Sequence, residues 1–403
     1  LEFRRVLFRS IPQDVISSPV KADAISLCQK PHLGVPSEQE INEVIEAIKN
    51  SKFPVLLAGM RSSSQAETEA IRRLVQKTNL PVVETFQGAG VISRELENHF
   101  FGRVGLFRNQ VGDELLRKSD LVITIGYDPI EYEASNWNKE LDTKIINVDE
   151  EHAEITNYMQ PVKELIGNIA GTIDMISEHV NEPFINQDHL DELEKLRGEI
   201  TEATGIKATH KEGVMHPVEI IETMQKVLTD DTTVTVDVGS HYIWMARKYR
   251  SYNPRHLLFS NGMQTLGVAL PWAISAALVR PNTQVVSVAG DGGFLFSGQE
   301  LETAVRKNLN IIQLIWNDGR YNMVEFQEEM KYKRSSGVEF GPVDYVKYAE
   351  SFGAKGLRVT NQEELEAALK EGYETDGPVL IDIPVNYADN VKLSTNMLPN
   401  ALN

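Results

Sequence analysis

The stretch VVSVAGDGGFLFSGQELETAV, residues 285–305, contains the change from strand to helix that decides the fold. Residues 285–289 form a nearly continuous apolar run, which is typical of a strand buried on both faces of a parallel sheet. The run ends in GDGG at 290–293, and a helical pattern follows. A charged Asp291 between glycines either caps a turn or holds a ligand that needs a carboxylate and accessible main chain.

The same alternation of helices and short apolar strands continues on both sides of this stretch. It predicts an α/β protein with two Rossmann-like parallel-sheet domains. The first helix of the pattern has Ser37 as a candidate N-cap and Glu40 three residues later. We place a start and linker at 1–35, a middle domain at 36–182, a polar and partly helical linker at 183–214, a second domain at 215–393 and a tail at 394–403.

The bulk composition is that of a soluble globular protein. Of 403 residues, 41% are hydrophobic and 24% charged, and the net charge is -18, so nucleic acid and anionic membranes are disfavoured as partners. Cys28 is the single cysteine, which excludes a disulfide within the chain and suits a cytoplasmic location. No apolar run is long enough for a membrane span. The basic start LEFRRVLFRS, residues 1–10, indicates a non-native segment rather than a signal peptide.

Three strand ends in the second domain carry polar residues. They are DVGSH at 237–241, GDGG at 290–293 and NDG at 317–319. Ligands of open parallel sheets bind beyond the carboxyl ends of the strands. Asp291 and Asp318 can meet there if their strands are neighbours, and paired carboxylates with main-chain carbonyls suit Mg²⁺. Main-chain N–H groups at a helix start bind phosphate, so the set predicts a cradle for Mg²⁺ and a diphosphate.

Each of these motifs alone is more often a turn, but their spacing is specific. Gly290-Asp291-Gly292 is followed by 24 residues and then by Asn317-Asp318, which spans one strand–helix–strand unit. This spacing resembles the thiamine diphosphate motif, written GDG, a spacer and NN. The segments DVGSHYIWMAR, SNGMQTLGVALPWAI, GDGGFLFSGQELETAV, IWNDGRYNMVEFQEEMKYKRSSGVEFGP and YAESFGAKGLRV extend the resemblance. They are similar to the acetohydroxyacid synthase group, and most of all to its catabolic, FAD-independent acetolactate synthases.

This resemblance implies roles for individual residues. Asp291 and Asp318 would bind Mg²⁺ through their side chains, and Arg320 through its main-chain carbonyl. Many relatives have Asn where Asp318 stands, and both side chains offer an oxygen. The implied contacts of thiamine diphosphate are Gly239, Ser240, His241, Gly292 and Gly293 at the diphosphate, Gln264 at the aminopyrimidine, and Leu266, Asn322 and Met323 elsewhere in the site. Two of the implied residues act in catalysis: Leu266 wedges the cofactor into a V shape, and Gln327 tunes the acceptor keto acid.

The resemblance also implies a reaction. An acetolactate synthase decarboxylates pyruvate on thiamine diphosphate and ligates the hydroxyethyl carbanion to a second pyruvate, which gives 2-acetolactate and CO₂. The full-length protein is expected to be a homodimer or homotetramer. The family has a further N-terminal pyrimidine-binding domain, whose glutamate starts catalysis. The residues before Pro36 are too few for that domain, so the sequence predicts a truncated chain that is inactive alone.

A flavin is not expected. The segment FFGRVGLFRNQVGDELL, residues 100–116, aligns with a loop that contacts FAD in some relatives, but Phe107-Arg108 replaces the small, polar pair expected there. Two alternatives to acetolactate synthesis remain open. One is another thiamine diphosphate-dependent 2-keto-acid decarboxylase or carboligase. The other is a non-catalytic nucleotide-binding protein built on two Rossmann-like units.

Overall fold

The computed structural model describes residues 12–19, 32–107 and 110–395. Cys28, Arg108, the start at 1–11 and the end of the tail at 396–403 lie outside the described residues, and so do the predictions that concern them. A short helix, α1 (Gln13–Ile16), belongs to a compact unit at 1–33. Residues 34–403 form the other unit, which holds both sheets.

The first sheet is entirely parallel. Its strands are β1 (Pro54–Ala58), β2 (Val82–Thr85), β3 (Phe100–Val104), β4 (Leu121–Ile125), β5 (Lys144–Asp149) and β6 (Lys163–Ile166), in the order β3-β2-β1-β4-β5-β6. Its helices are α2 (Glu38–Lys49), α3 (Gln65–Thr78), α4 (Val111–Lys118) and α5 (Ile169–His179). Alternate residues of β1 enter two different apolar cores, with Leu56 in one and Leu57 in the other. Both faces of the sheet are therefore covered, which explains its nearly continuous apolar strands.

The second sheet follows the linker helix α6 (Gln187–Thr204) and is also parallel. Its strands are β7 (Thr233–Val236), β8 (Leu257–Phe259), β9 (Val285–Gly290), β10 (Ile311–Asn317), β11 (Lys355–Arg358) and β12 (Val379–Pro384), in the order β11-β12-β10-β9-β7-β8. Its helices are α7 (Pro217–Val227), α8 (Ser240–Lys248), α9 (Ala269–Val279), α10 (Asp291–Ser297), α11 (Leu301–Arg306), α12 (Asn322–Tyr332), α13 (Tyr345–Ser351), α14 (Gln362–Glu374) and α15 (Asn390–Thr395).

The strands that sequence reasoning missed are β3, β6 and β11, and each lies at the edge of its sheet. An edge strand pairs on one side only, so it needs fewer apolar residues. The sequence pattern predicts a helix over 297–307, and this start is wrong, because α10 begins at Asp291 and includes both following glycines. Asp291 therefore lies in the first turn of a helix, where the positive end of the helix dipole stabilises a carboxylate.

The two sheets are joined by a buried aromatic and ionic contact. Phe86, which follows β2, packs edge-on against Tyr242 of α8, with ring centroids 5.4 Å apart. Arg103 of β3 donates to the Glu84 carboxylate at 3.1 Å and to the Tyr249 carbonyl just after α8 at 2.7 Å. This contact holds α8 against the middle domain.

No helix among residues 12–19, 32–107 and 110–395 is long and apolar enough to cross a membrane.

Candidate functional site

The carboxyl ends of β7, β9 and β10 lie side by side at one edge of the second sheet. β9 and β10 pair up to Gly290 and Trp316, so Asp291 and Asp318 follow one and two residues later. β7 pairs with the other side of β9 and brings the loop at 237–241 to the same edge. The neighbouring strands required by the sequence prediction are therefore present.

A cavity of about 240 Å³ opens over this edge. The predicted residues that line it are Gly239, Ser240, His241, Gln264, Leu266, Asp291, Gly292, Gly293, Asp318, Arg320, Asn322 and Met323. Gln327 is not among the lining residues and is exposed on α12. The structure thus brings the predicted metal and cofactor residues together and leaves the predicted acceptor-tuning residue outside the cavity wall.

Asp291 is held by main-chain donors on both sides. Its Oδ1 accepts from the Gly292 N–H at 2.8 Å and its Oδ2 from the Gly319 N–H at 2.6 Å. The residue is 2% exposed, and burial raises the pKa of its carboxyl to about 6. The carboxylate is thus positioned by the strand-end backbone before any ligand arrives.

Asp318 is the second carboxylate of the pair. Its Oδ2 accepts from Asn322 Nδ2 at 2.7 Å. Burial and the nearby charge of Asp291 together raise the pKa of Asp318 to about 7. The Arg320 guanidinium forms ion pairs with Glu325 and Glu339. Two buried carboxylates that repel each other form a site that a cation would stabilise.

The donor set fits a hard divalent cation. Among the described residues, no group of three or more His, Cys, Asp or Glu side chains is arranged to hold a metal ion. A cation at Asp291 and Asp318 would therefore need main-chain carbonyls, water and ligand oxygens to complete its coordination. Mg²⁺ commonly binds in this way, with one or two carboxylates and the phosphates of a ligand.

His241 offers the cavity an unsatisfied nitrogen. Its side chain is buried edge-on to Trp316, with ring centroids 6.2 Å apart. The ring Nε2 has no hydrogen-bond partner among the described residues. Burial lowers the pKa of the imidazole to about 3, so the ring is neutral near pH 7. A buried polar atom without a partner is costly, and a hydrogen-bonding group of a ligand at this end of the cavity would satisfy it.

The glycines of the GDGG motif are needed by the protein's own packing. A Cβ at Gly293 would lie 2.8 Å from Asp237 Oδ1, and a Cβ at Gly292 would lie 2.7 Å from the Tyr321 ring. The Gly292 N–H already donates to Asp291. The contact of Gly292 and Gly293 with a diphosphate stays a prediction. The close packing is a second reason for glycine at both positions.

Asp237 has a role that sequence reasoning missed. The residue is 1% exposed, and its two oxygens accept from the N–H groups of Gly267 and Ala269, each at 3.0 Å. These bonds fix the loop that carries Gln264 and Leu266 to the cavity wall. The sequence pattern predicts a helix over 264–279, but the helix begins only at Ala269, since Gln264 and Gly267 both have positive φ, at 49° and 80°. A buried aspartate followed by Val-Gly at a strand end was the available signal.

Asn322 joins Asp318 to two other elements. Its Oδ1 accepts from Ser240 Oγ at 2.8 Å and from the Asn390 amide at 2.5 Å. Asn390 in turn accepts from the Trp244 indole at 2.7 Å. Asn390 begins α15, close to the region expected to be a tail. Its part in the site could not be read from the sequence, because no motif accompanies it.

Comparisons with known proteins agree with this geometry. Residues 41–176 match the family model described as the thiamine pyrophosphate enzyme central domain, and residues 237–383 match the C-terminal TPP binding domain. An acetolactate synthase of Bacillus subtilis (strain 168) is 48% identical over 392 residues, which cover 97% of this chain and 69% of the relative. The catabolic acetolactate synthase of Raoultella terrigena is 42% identical, over 95% of this chain and 68% of the relative. The chain belongs to the acetolactate synthase family of thiamine pyrophosphate enzymes.

Membership of the acetolactate synthase family confirms the two-domain α/β prediction and the resemblance that the motifs indicated. The match to the C-terminal TPP binding domain begins at Asp237 and ends at Ile383, so it contains most of the cavity wall. More distant members also align, such as acetolactate synthase 1, chloroplastic, of Nicotiana tabacum, at 29% identity over 89% of this chain and 55% of the relative. The individual site residues and the domain bounds at 36–182 and 215–393 stay predictions.

The buried neutral imidazole of His241 predicts a pH dependence of stability. Its folded pKa of about 3 lies below the unfolded value of about 6.5, so the unfolded chain binds the extra proton first. The contribution of His241 to stability is therefore present above about pH 6.5 and is lost as the pH falls toward the folded pKa, by roughly 1 kcal/mol per pH unit. The variant His241→Gln lacks this contribution, so we expect the difference between the unfolding free energies of the wild type and the variant, measured in urea, to shrink as the pH falls from 7 to 5. A difference that does not change with pH would contradict the assignment.

Proposed function

We propose that this protein forms 2-acetolactate from pyruvate with thiamine diphosphate and Mg²⁺. The observation that carries the proposal is the cavity at three adjacent strand ends, where the Asp291 and Asp318 carboxylates repel each other beside the unsatisfied Nε2 of His241. Family membership supports it, and so do the relatives at 48% and 42% identity, which are acetolactate synthases. A homodimer or homotetramer and a cytoplasmic location belong to the same proposal.

When bound, thiamine diphosphate supplies the electron sink that allows pyruvate to lose CO₂ and its two-carbon unit to join a second pyruvate. The chain's own residues would bind the cofactor and orient it. Asp291, Asp318 and the Arg320 carbonyl would hold Mg²⁺ against the diphosphate. Gly239, Ser240 and His241 would contact the diphosphate.

The apolar wall of the cavity would position the organic part of the cofactor. Leu266 and Met323 line the cavity, and both are partly buried. The loop of Leu266 is fixed by the two hydrogen bonds to Asp237. Leu266 would therefore keep its position against a bound cofactor, as its predicted role as a wedge requires. Tight positioning and exclusion of water are what a protein adds to this cofactor.

A chimaera tests the function. We would insert residues 12–395 in place of the matching segment of the Bacillus subtilis acetolactate synthase, and supply pyruvate, thiamine diphosphate and Mg²⁺. We expect 2-acetolactate as the main product. Release of acetaldehyde instead would indicate a simple decarboxylase, and absence of any product from a folded, cofactor-bound chimaera would refute the proposal.

We also expect the purified protein to carry no flavin. Phe107 lies in the segment aligned with the flavin loop, has a positive φ of 61° and packs near Phe326, with ring centroids 6.3 Å apart. A bulky side chain fixed there takes up space that a ring system would need. The measurement is the visible absorption spectrum of the purified protein, and stoichiometric flavin absorbance would contradict the prediction.

A further inference from the structure

A second cavity, of about 330 Å³, lies where the middle domain, the linker helix α6 and the end of α8 meet. Its charged lining residues are Glu97, Arg103, Arg197, Arg247 and Lys248. Four of these five are cations, in a chain whose net charge is -18. The one carboxylate, Glu97, is paired with Arg250 at 2.8 Å. The wall thus concentrates positive charge where the molecule as a whole is acidic.

Arg103 is the buried part of this wall. Its side chain is 1% exposed. Its Nε donates to Glu84 at 3.1 Å, and its Nη1 donates to the carbonyls of Ala246 and Tyr249. Its Nη2 has no hydrogen-bond partner among the described residues. Burial lowers the pKa of this guanidinium to about 10, although Glu84 forms an ion pair with it.

Two further cations stand closer to solvent. Arg197 of α6 donates from Nη1 to the Phe100 carbonyl at 2.8 Å, and Glu194 pairs with it. Lys248, the last residue of α8, is exposed, and its ammonium forms no ion pair with any residue in the part of the chain that the structure describes. An arrangement of guanidinium and ammonium donors around one cavity is suited to phosphate or carboxylate oxygens.

This cavity is separate from the cofactor site, although α8 connects the two. Ser240 and His241, at the start of α8, line the cofactor cavity, and Arg247 and Lys248, at its end, line the second one. Nine residues of helix extend over about 13 Å, so one small ligand cannot fill both.

We propose that the second cavity binds a small anion with at least two negative charges, as a phosphate-bearing or polycarboxylate metabolite. The anion would receive hydrogen bonds from the ammonium of Lys248 and the guanidinium of Arg197, beside the buried charge of Arg103, and it would neutralise cations from both domains and from the linker helix. A bound anion would therefore hold the end of α8 and α6 to β3. This inference does not depend on the proposed enzymatic activity.

The test uses calorimetry of the 403-residue chain with inorganic phosphate and, separately, succinate, at constant ionic strength set by chloride. We expect at least one probe to bind, and expect Lys248→Met and Arg197→Met each to weaken that binding about tenfold, because each removes a charge-assisted hydrogen bond. Both head groups are partly exposed, so these variants should fold, which circular dichroism would check. Binding of phosphate alone would assign a phosphoryl ligand, and binding of succinate alone a carboxylate.

Two matched controls separate this site from unspecific attraction. Lys307→Met removes an exposed lysine at the end of α11 that lies outside the cavity, and it should leave the affinity unchanged. Lys248→Arg keeps the charge and should retain most of the affinity. Equal affinity in the wild type, Lys248→Met and Arg197→Met would overturn the proposal, and so would absence of binding by both probes.

Discussion

Asp291→Ala is expected to abolish the Mg²⁺-dependent binding of thiamine diphosphate while the chain remains folded. Asp291 is fixed by the N–H groups of Gly292 and Gly319 and stands beside Asp318. Its loss removes one of the two carboxylates available to the cation, and we expect the affinity to fall at least about a hundredfold. Calorimetric titration of the cofactor with and without Mg²⁺ measures the effect.

The control for this variant is Asp376→Ala, which removes an exposed aspartate between α14 and β12. It should bind the cofactor as the wild type does. The free Asp291→Ala protein is also expected to keep its secondary structure, because the variant removes repulsion on Asp318 along with two hydrogen bonds. Cofactor affinity equal to that of the wild type would show that Asp291 is not a metal ligand.

The second large effect is expected from Asp237→Ala. Its carboxylate receives the buried N–H groups of Gly267 and Ala269, and alanine leaves both without a partner. Each unsatisfied buried donor costs about 1–3 kcal/mol, so we expect a loss of roughly 3 kcal/mol in the free energy of unfolding. The loop that carries Leu266 would also lose its anchor, and cofactor affinity would fall.

Urea denaturation measures the first part of this prediction, and calorimetry measures the second. Asp237→Asn is an informative companion, because its amide can accept one N–H but presents a donor to the other. It should be intermediate or as destabilised as alanine. An unfolding free energy within about 0.5 kcal/mol of the wild type, the range typical of neutral surface changes, would show that the loop is held by other contacts.

The central strands could be predicted, because each is marked by a local run of mostly apolar residues in the sequence. The strands β1, β4, β9 and β10 are mostly apolar and are buried along nearly their whole length, since helices cover both faces of each sheet. The edge strand β11 could not be read in this way, because its residues are partly exposed. A segment that pairs on one side only carries little apolar pattern.

The sequence by itself determined the pair of aspartates that is predicted to bind the metal ion at the diphosphate end of the site. Asp291 and Asp318 belong to motifs at the ends of strands, and a parallel sheet brings the carboxyl ends of neighbouring strands to one edge. The spacing of one strand–helix–strand unit was therefore enough to predict that both aspartates face a common cavity. The family comparisons agree with the chemistry that this spacing indicated.

Only the tertiary structure decided which distant residues support that site and which form the second cavity. Asn390 donates a hydrogen bond to Asn322, which lies 68 positions away in the sequence, and Arg103 donates one to the Tyr249 carbonyl, which lies 146 positions away. Such contacts depend on how whole helices and domains pack, and no local periodicity encodes them. The burial of Asp237 and the unpaired Nη2 of Arg103 arise in the same way. Whether a buried polar atom has a hydrogen-bond partner depends on the folded structure around it, and the sequence does not show that structure.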